Sequence, residues 1–476
     1  GSGQNLAVKG MDISNLEQAS ENINIGSYKS LIVANNITAS TEIDYKSKYI
    51  LDALVRRDGV SLFGANQRWQ TFYRISGAYR VTEDFKIPDV QELKIRTSYG
   101  IAGLRPPFEA RYEVVGISNG NVANPVTLGN EDLKPSFSRE LEVGVDANFL
   151  KRFNVTANYS RAINTDQILN VPVSASSGFA TQWQNAGTLE SYTLEFNLGA
   201  NIIRQRDLDW NINLTWDRTR QKVVSLNRSG YAIVSGGIFQ IAEGSTFGTL
   251  YGHKWATSLD QVANQVPEGQ SINDYFVVNN EGYVVKRSTI GTTDEVPIKI
   301  TDDLGNPINM KIGDVNPDFN MNFGSTLHYK NASFYMLWSW KQGGDVYNHM
   351  RRYMMVHNVG GELDQADKSY NHRKSARYYN ELTSWNNSHF VEDGSYLKLR
   401  EVSLGYRFSG SILAKAGIKN LKVSVTGRNL LTLTKYSGFD PEMGHSESGV
   451  NSNVLKFDLS SYPTYRTVSA AIGIKF

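Results

Sequence analysis

Along most of this chain, apolar and polar residues change places at every step. Leu141, Val143, Val145, Ala147 and Phe149 are interleaved with Glu142, Gly144, Asp146 and Asn148. Phe153, Val155, Ala157 and Tyr159 alternate with Asn154, Thr156, Asn158 and Ser160, and Trp210, Ile212, Leu214 and Trp216 with Asn211, Asn213 and Thr215. Tyr192–Leu198, Phe319–Phe323, Phe334–Trp340 and Leu421–Val425 continue the pattern; Val468, Ala470, Ile472, Ile474 and Phe476 close it. Successive strand side chains point to opposite faces, so a period of two predicts strands with one apolar and one polar face. Soluble strands run to about 5–6 residues, whereas a tilted membrane strand needs about 9–11. Several runs here reach the longer figure. The chain reads as all-β, a transmembrane antiparallel β-barrel whose apolar side chains meet lipid.

The connections are unequal in length. Short turns at Asp44–Ser47, Leu150–Arg152 and Tyr329–Asn331 alternate with polar stretches at 104–134, 227–247, 262–315, 343–395 and 433–464. Tight periplasmic turns and long extracellular loops produce that asymmetry. Residues 27–476 are expected to supply about fourteen strands, with the carboxyl terminus on the periplasmic side, and residues 1–26 an extracellular loop segment. Phe476, an aromatic carboxyl-terminal residue on an alternating strand, has the form of a barrel assembly signal.

Composition narrows the alternatives. The chain has 476 residues, 49 basic and 47 acidic, for a net charge of +2, and no cysteine. That balance gives no electrostatic case for nucleic acid, and a disulfide framework and thiolate metal sites are excluded. No apolar run is long enough for a helical span, which needs about 18 or more residues. The 25 tyrosines and 8 tryptophans suit interfacial girdles and equally a sugar-binding surface. Residues 1–6 show neither a basic n-region nor an apolar core, so the expectation is that a leader has been removed or that the chain continues something longer.

No catalytic constellation is visible. The seven histidines are scattered, and Gly244-Ser-Thr-Phe-Gly248 places its serine wrongly for a nucleophile elbow. Phosphate loops and dinucleotide fingerprints are missing. We therefore expect no enzyme, no cofactor and no metal. The stretch 343–395 is the candidate for binding: Asp345, Tyr347, Asn348, Arg373, Tyr379, Trp385 and Asn386 combine aromatic faces with amide and guanidinium groups, which stack on and orient sugars or peptides. The plainer alternative is a polar loop packing on its neighbours. Glu142, Asp146, Glu195 and Asp217 fall on the polar face, where they are expected to bond one another or a plug.

Several segments together resemble the carboxyl-terminal half of the SusC/RagA family of TonB-dependent transporters. In order they are Tyr45-Lys-Ser-Lys-Tyr49, Arg57-Asp-Gly59, Leu93–Gly100, Asn130–Pro135 with Glu140–Gly144, Asn185-Ala-Gly187, Gly313-Asp-Val-Asn-Pro317 and Gln342–Asn348. The most specific follow: Asp393–Tyr406, Gly427-Arg-Asn-Leu-Leu431, Tyr436–Glu442 and Tyr462–Arg466. Val60 stands where the family repeats serine, and the Asp-rich loop that many members carry before the position of Gly313 is absent, so no calcium site is carried over. The resemblance implies a 22-stranded barrel of which this chain is the carboxyl-terminal portion, with the plug and early strands not in this chain. It also implies a location in the outer membrane of a Gram-negative bacterium.

By the same resemblance the activity is import of oligosaccharides or oligopeptides. A SusD-like lipoprotein would form the lid, the TonB complex would act through the missing amino-terminal part, and the transporter–lid pair could form a dimer. The alternative is a SusC-like barrel serving as a structural or assembly subunit of a larger outer-membrane machine. A solvent-filled lumen favours import; a fixed obstruction favours the machine.

Overall fold

The computed structural model describes residues 2–6, 19–24, 31–118, 121–226, 231–232, 238–384, 386–408, 413, 417–442, 457–458 and 462–476. Thirteen long strands form one sheet in strict chain order, each paired with the next. They are β1 (Ala34–Tyr45), β2 (Tyr49–Val60), β3 (Trp69–Arg80), β4 (Val90–Leu104), β5 (Ser136–Phe149), β6 (Phe153–Thr165) and β7 (Gly187–Arg204). Then follow β8 (Leu208–Leu226), β9 (Phe319–Tyr329), β10 (Ala332–Gln342), β11 (Tyr396–Phe408), β12 (Asn420–Thr434) and β13 (Thr467–Lys475). Every pairing is antiparallel. Thirteen compares with the expected count of about fourteen, and parity explains the odd number. β1 starts at the long-loop end and β13 finishes at the short-turn end, which only an odd number of antiparallel strands allows.

At the short-turn end two connections close without glycine. Lys46 and Ser47 adopt φ of 57° and 52°, and Leu150 and Lys151 adopt 52° and 54°. Positive φ at both central residues is the turn whose twist matches the flanking strands. Non-glycine residues in that conformation cost about 1–2 kcal/mol each, which the long ladders on either side outweigh.

The two faces differ as the alternation requires. On one, Arg96 of β4 donates to Glu142 at 2.7 Å and to Asp146 at 3.3 Å, and Lys94 reaches Asp146 at 2.9 Å. Asn158 continues to Glu195 at 3.2 Å, and Asn320 to Asp217 at 2.9 Å. On the other, Leu141, Val143, Tyr159, Tyr192, Leu194 and Leu404 stand exposed, and Val468, Ile472 and Phe476 are 72%, 70% and 73% exposed. Lipid is the solvent such a face calls for. Among the described residues, no second large sheet packs against it.

Three findings revise the expected loop boundaries. The stretches 227–247 and 262–315 belong to one excursion from β8 to β9, because the apolar residues between them, among them Leu250 and Trp255, are buried inside the loop assembly and do not span lipid. Residues 166–186 add a further loop; its strands Ile168–Pro172 and Thr181–Asn185 form a four-stranded sheet with Val114–Ser118 and Asn121–Leu128 from the 105–135 loop. Within 1–26, Ser2–Leu6 pairs with Ala19–Asn24 where a loop segment was expected.

The phase of the alternation changes near Arg400, and the ladder shows why. Between the outward rungs Met336–Val402–Gly427 and Trp338–Leu399–Leu431 lie one residue of β10, two of β11 and three of β12. Arg400 is the extra residue of β11, and Asn429 of β12 takes φ 52°, a conformation asparagine tolerates. The bulge keeps Leu397 and Leu399 outward on one side, and Val402, Leu404 and Tyr406 outward on the other. Substituting Val143 by Arg should destabilise the inserted barrel by about 2–4 kcal/mol, against less than about 1 kcal/mol for Glu142→Gln. Denaturant titration of the membrane-inserted protein measures both.

Candidate functional site

The loops at the long end are assembled around a buried apolar cluster of Ile238, Phe239, Leu250, Ile312, Val315, Tyr347, Met355 and Phe390. Two motifs interlock beside it. Gly343 and Gly344 both hold positive φ, of 72° and 79°, and a Cβ on Gly344 would lie 2.7 Å from the Val315 carbonyl oxygen. That close approach brings Asp345 to the Asp314 backbone N–H at 2.7 Å. Burial pushes the Asp345 carboxyl up against that stabilising bond, with the Asp314 charge adding to the rise.

Helix α1 (His349–Val356) starts where Asn348 can cap it. The Asn348 Oδ1 accepts from Arg351 N at 2.9 Å, while Nδ2 donates to Glu392 at 3.0 Å and Ser437 at 3.2 Å. Ser437 in turn donates to Glu392 through N and Oγ, at 2.7 and 2.8 Å. The 343–395 and 435–466 loops are thereby joined through one carboxylate. Arg351 then pairs with Glu362, with Nη2 to Oε2 at 2.8 Å. Burial alone would raise Glu362, but the hydrogen bonds and charge of Arg351 outweigh it and hold the pKa at about 2. Arg351 can only donate, so His389 Nε2 accepts at 3.3 Å and its Nδ1–H is left to donate to the Tyr283 hydroxyl at 2.7 Å. Burial lowers the His389 pKa further.

A second anchor fixes the loops to the strand tops. Lys398 of β11, 3% exposed, reaches Asp440, 5% exposed, at 2.5 Å and Glu442 at 2.9 Å. Arg400 forks onto both Glu442 oxygens at 2.6 and 2.7 Å. Thr464 donates to Asp440 at 3.0 Å, and Asn429 donates to the Tyr465 carbonyl at 3.0 Å. Four of the stretches that carry the family resemblance, at 393–406, 427–431, 436–442 and 462–466, thus meet at one point. Their charges were visible in the sequence, but their pairing was not, because only the bulge at Arg400 brings Lys398 and Arg400 both inward. The pairing of Arg351, Glu362 and His389 left no signal in the sequence.

Of the residues singled out for binding, Asp345 and Asn348 have their polar atoms bonded within the loops, and Tyr347 is fully buried, stacked on Phe457 with centroids 5.6 Å apart. Tyr379 is half-buried, its hydroxyl receiving Lys368 Nζ at 2.7 Å and Gln365 at 3.2 Å. Arg373 is exposed and donates to the Lys368 carbonyl at 2.9 Å. Asn386 accepts the His253 N–H through its backbone at 2.9 Å, and Trp385 lies outside the described residues. Asp345, Tyr347 and Asn348 come together, and Tyr379 packs against the apolar cluster that contains Tyr347. Phe476 extends the outward row of β13 at the short-turn end. Lower on the inward face, a groove of about 620 Å³ is lined by the side chains of Asn154, Asn201, Asn211, Asn213, Asn322 and Tyr335. Its lining is uncharged, in contrast to the ion-paired ladder beside it.

Residues 12–430 match the family model described as TonB dependent receptor-like, beta-barrel. The chain belongs to that family. TonB-dependent receptor P3 of Formosa agariphila is 27% identical over 497 residues, covering 97% of this chain and 47% of its own length. TonB-dependent receptor SusC of Bacteroides thetaiotaomicron is 25% identical over 459 residues, covering 90% of this chain and 42% of its own length. The solved structure of the RagAB peptide transporter superposes with a TM-score of 0.72 at 19% identity, over 98% of this chain and 51% of that one. The chain is therefore of the SusC/RagA type, is placed in the outer membrane, and spans about half the length of the relatives it matches. The family is one of receptors and transporters.

Two outcomes test the anchors. Lys398→Met leaves Asp440 buried without its cation and should cost about 3 kcal/mol or more, read as faster limited proteolysis of residues 435–466 in the otherwise folded protein. The carboxyl of Glu362 is held below its ordinary 4.5, so its contribution is complete above about pH 4.5 and lost as pH falls through about 2. Hydrogen exchange across 349–365, corrected for intrinsic rates, should show that acid step in the native protein and not in Glu362→Gln.

Proposed function

We propose that this chain forms the carboxyl-terminal barrel wall and outer loops of a SusC-like importer that moves oligosaccharides or oligopeptides across the outer membrane. The observation that carries the reading is the sheet itself: an apolar outward face, a polar inward face, and two edges, β1 and β13, that have no partner strand among the described residues. Both edge strands run from the long-loop end to the short-turn end. All-antiparallel closure then needs an odd number of further strands, nine for a barrel of 22. The amino-terminal half of the same transporter supplies them together with the plug and the contact with the TonB complex. A SusD-like lipoprotein covers the loops, and the transporter–lid pair can dimerise. The uncharged, amide-lined groove suits a wall past which polar, neutral ligands move, and the ion pairs above it suit loops held in a fixed shape beneath a lid. Asp345, Tyr347, Asn348, Arg373, Tyr379, Trp385 and Asn386 are proposed to shape the outer end of that path, and Phe476 to direct assembly.

Deleting the gene and growing the strain on single oligosaccharides and peptides tests the proposal. Loss of growth on one class, restored by the intact gene, is the expected result. Wild-type growth on every nutrient, with a visible envelope defect instead, would point to the assembly-subunit alternative.

A further inference from the structure

Outward positions of a lipid-facing sheet are apolar over most of this molecule, yet on neighbouring strands they turn basic at the long-loop end. β8 carries Arg218, Arg220 and Lys222 at alternate positions directly after outward-facing Trp216. The pairing runs Arg220–Tyr192–Arg161 on one rung and Lys222–Glu190–Ile163–Arg139 on the next. Tyr159, Tyr192 and Leu194, exposed on the same strands at positions of the same parity, fix the direction as outward. Five cations therefore share this patch with two acids, Glu190 and Asp318.

Their engagement within the protein is partial. Arg161 holds Glu190 at 2.5 Å. Arg220 donates to the Pro317 carbonyl at 2.6 Å and to Asp318 at 2.9 Å, and Arg139 donates to Thr165 at 3.0 Å. Arg218 and Lys222 are exposed, and no partner for either is found among the described residues. Cations at alternate positions of one strand and on neighbouring rungs repel one another, so the patch favours an external anion. Just below it lies an aromatic belt, with Trp216, Phe319 and Trp340 in contact at centroid distances of 6.4 and 5.0 Å. Such belts mark the level where hydrocarbon gives way to headgroups. Guanidinium forks match phosphate oxygens in pairs. A second copy of this chain is a poor occupant, because a two-fold contact would bring the same five cations face to face.

We propose that Arg139, Arg161, Arg218, Arg220 and Lys222 form a site for the phosphorylated headgroup of an anionic lipid in the outer leaflet. The inference rests on the outer-membrane placement with the long loops facing outward, and is independent of what the barrel imports. The lipid's acyl chains would lie along the apolar rows of β5–β8, and its phosphates would neutralise the cations that the protein leaves unpaired.

The test uses the whole transporter purified from its own outer membrane in mild detergent. It is stripped of lipid and titrated with bisphosphorylated lipid A, with the dephosphorylated form, or with inorganic phosphate, and binding is read by native mass spectrometry. The native protein should prefer the phosphorylated lipid by at least about tenfold. The variant Arg161→Gln/Arg218→Gln/Lys222→Gln should lose that preference, while Lys330→Gln, at the opposite membrane end, should keep it. If the triple variant fails to fold, Arg218→Gln alone and the two-lipid comparison on the native protein still decide. Equal binding of the two lipids, an undiminished preference in the variant, or saturation by inorganic phosphate without a preference for the lipid would overturn the assignment. So would a change of oligomeric state in the variant with lipid binding intact.

Discussion

In hydrocarbon the backbone can hydrogen-bond only to itself, and each group left without a partner costs several kcal/mol. Eleven of the thirteen strands meet that demand on both sides, while β1 and β13 meet it on one side each. Edge strands 9 to 12 residues long, flanked by exposed apolar side chains, are stable in a membrane only when further strands close them. That requirement ties the outward apolar face, the odd strand count and the half-length match to full-length receptors into a single account. A sheet with these edges belongs to a larger closed barrel.

Closure also explains where the charge goes. Charges on the strands are concentrated on the inward face and at the two ends, and inside they are cross-linked: Arg96 bridges β4 and β5, and Asn158 bridges β6 and β7. At the long-loop end the same principle holds the loops. Lys398 and Arg400 project inward from β11 and gather Asp440 and Glu442, while Glu392 joins two loops through Asn348 and Ser437. Buried ion pairs of this kind contribute little net stability, but removing one partner is expensive. Here they tie the loops to one another and to β11.

Much of this architecture was legible in the sequence because period-two alternation reports directly on which face a side chain occupies. Leu141–Phe149 and Phe153–Tyr159 read correctly for that reason. The stretch around Leu250 and Trp255 did not, since hydrophobic residues buried among loops look the same in one dimension as those facing lipid. The strands at 168–172 and 181–185 were missed because they are short and pair with another loop. The binding candidates were chosen for their chemistry, and sequence could not reveal that Asp345, Tyr347 and Asn348 were already engaged with Asp314, Phe457 and Glu392. The motif at 427–431 became intelligible only once Asn429 was seen in a left-handed conformation beside the bulge.

The central claim is that odd-numbered side chains of β5 face lipid and even-numbered ones face an enclosed aqueous lumen. The absence of cysteine from the chain allows single cysteines at 141 through 146 to carry nitroxide labels in the membrane-inserted transporter. Oxygen, which concentrates in lipid, should relax labels at 141, 143 and 145, and a water-soluble nickel complex should relax those at 142, 144 and 146. Uniform access of the nickel complex to all six positions, or alternation of the opposite phase, would contradict the account.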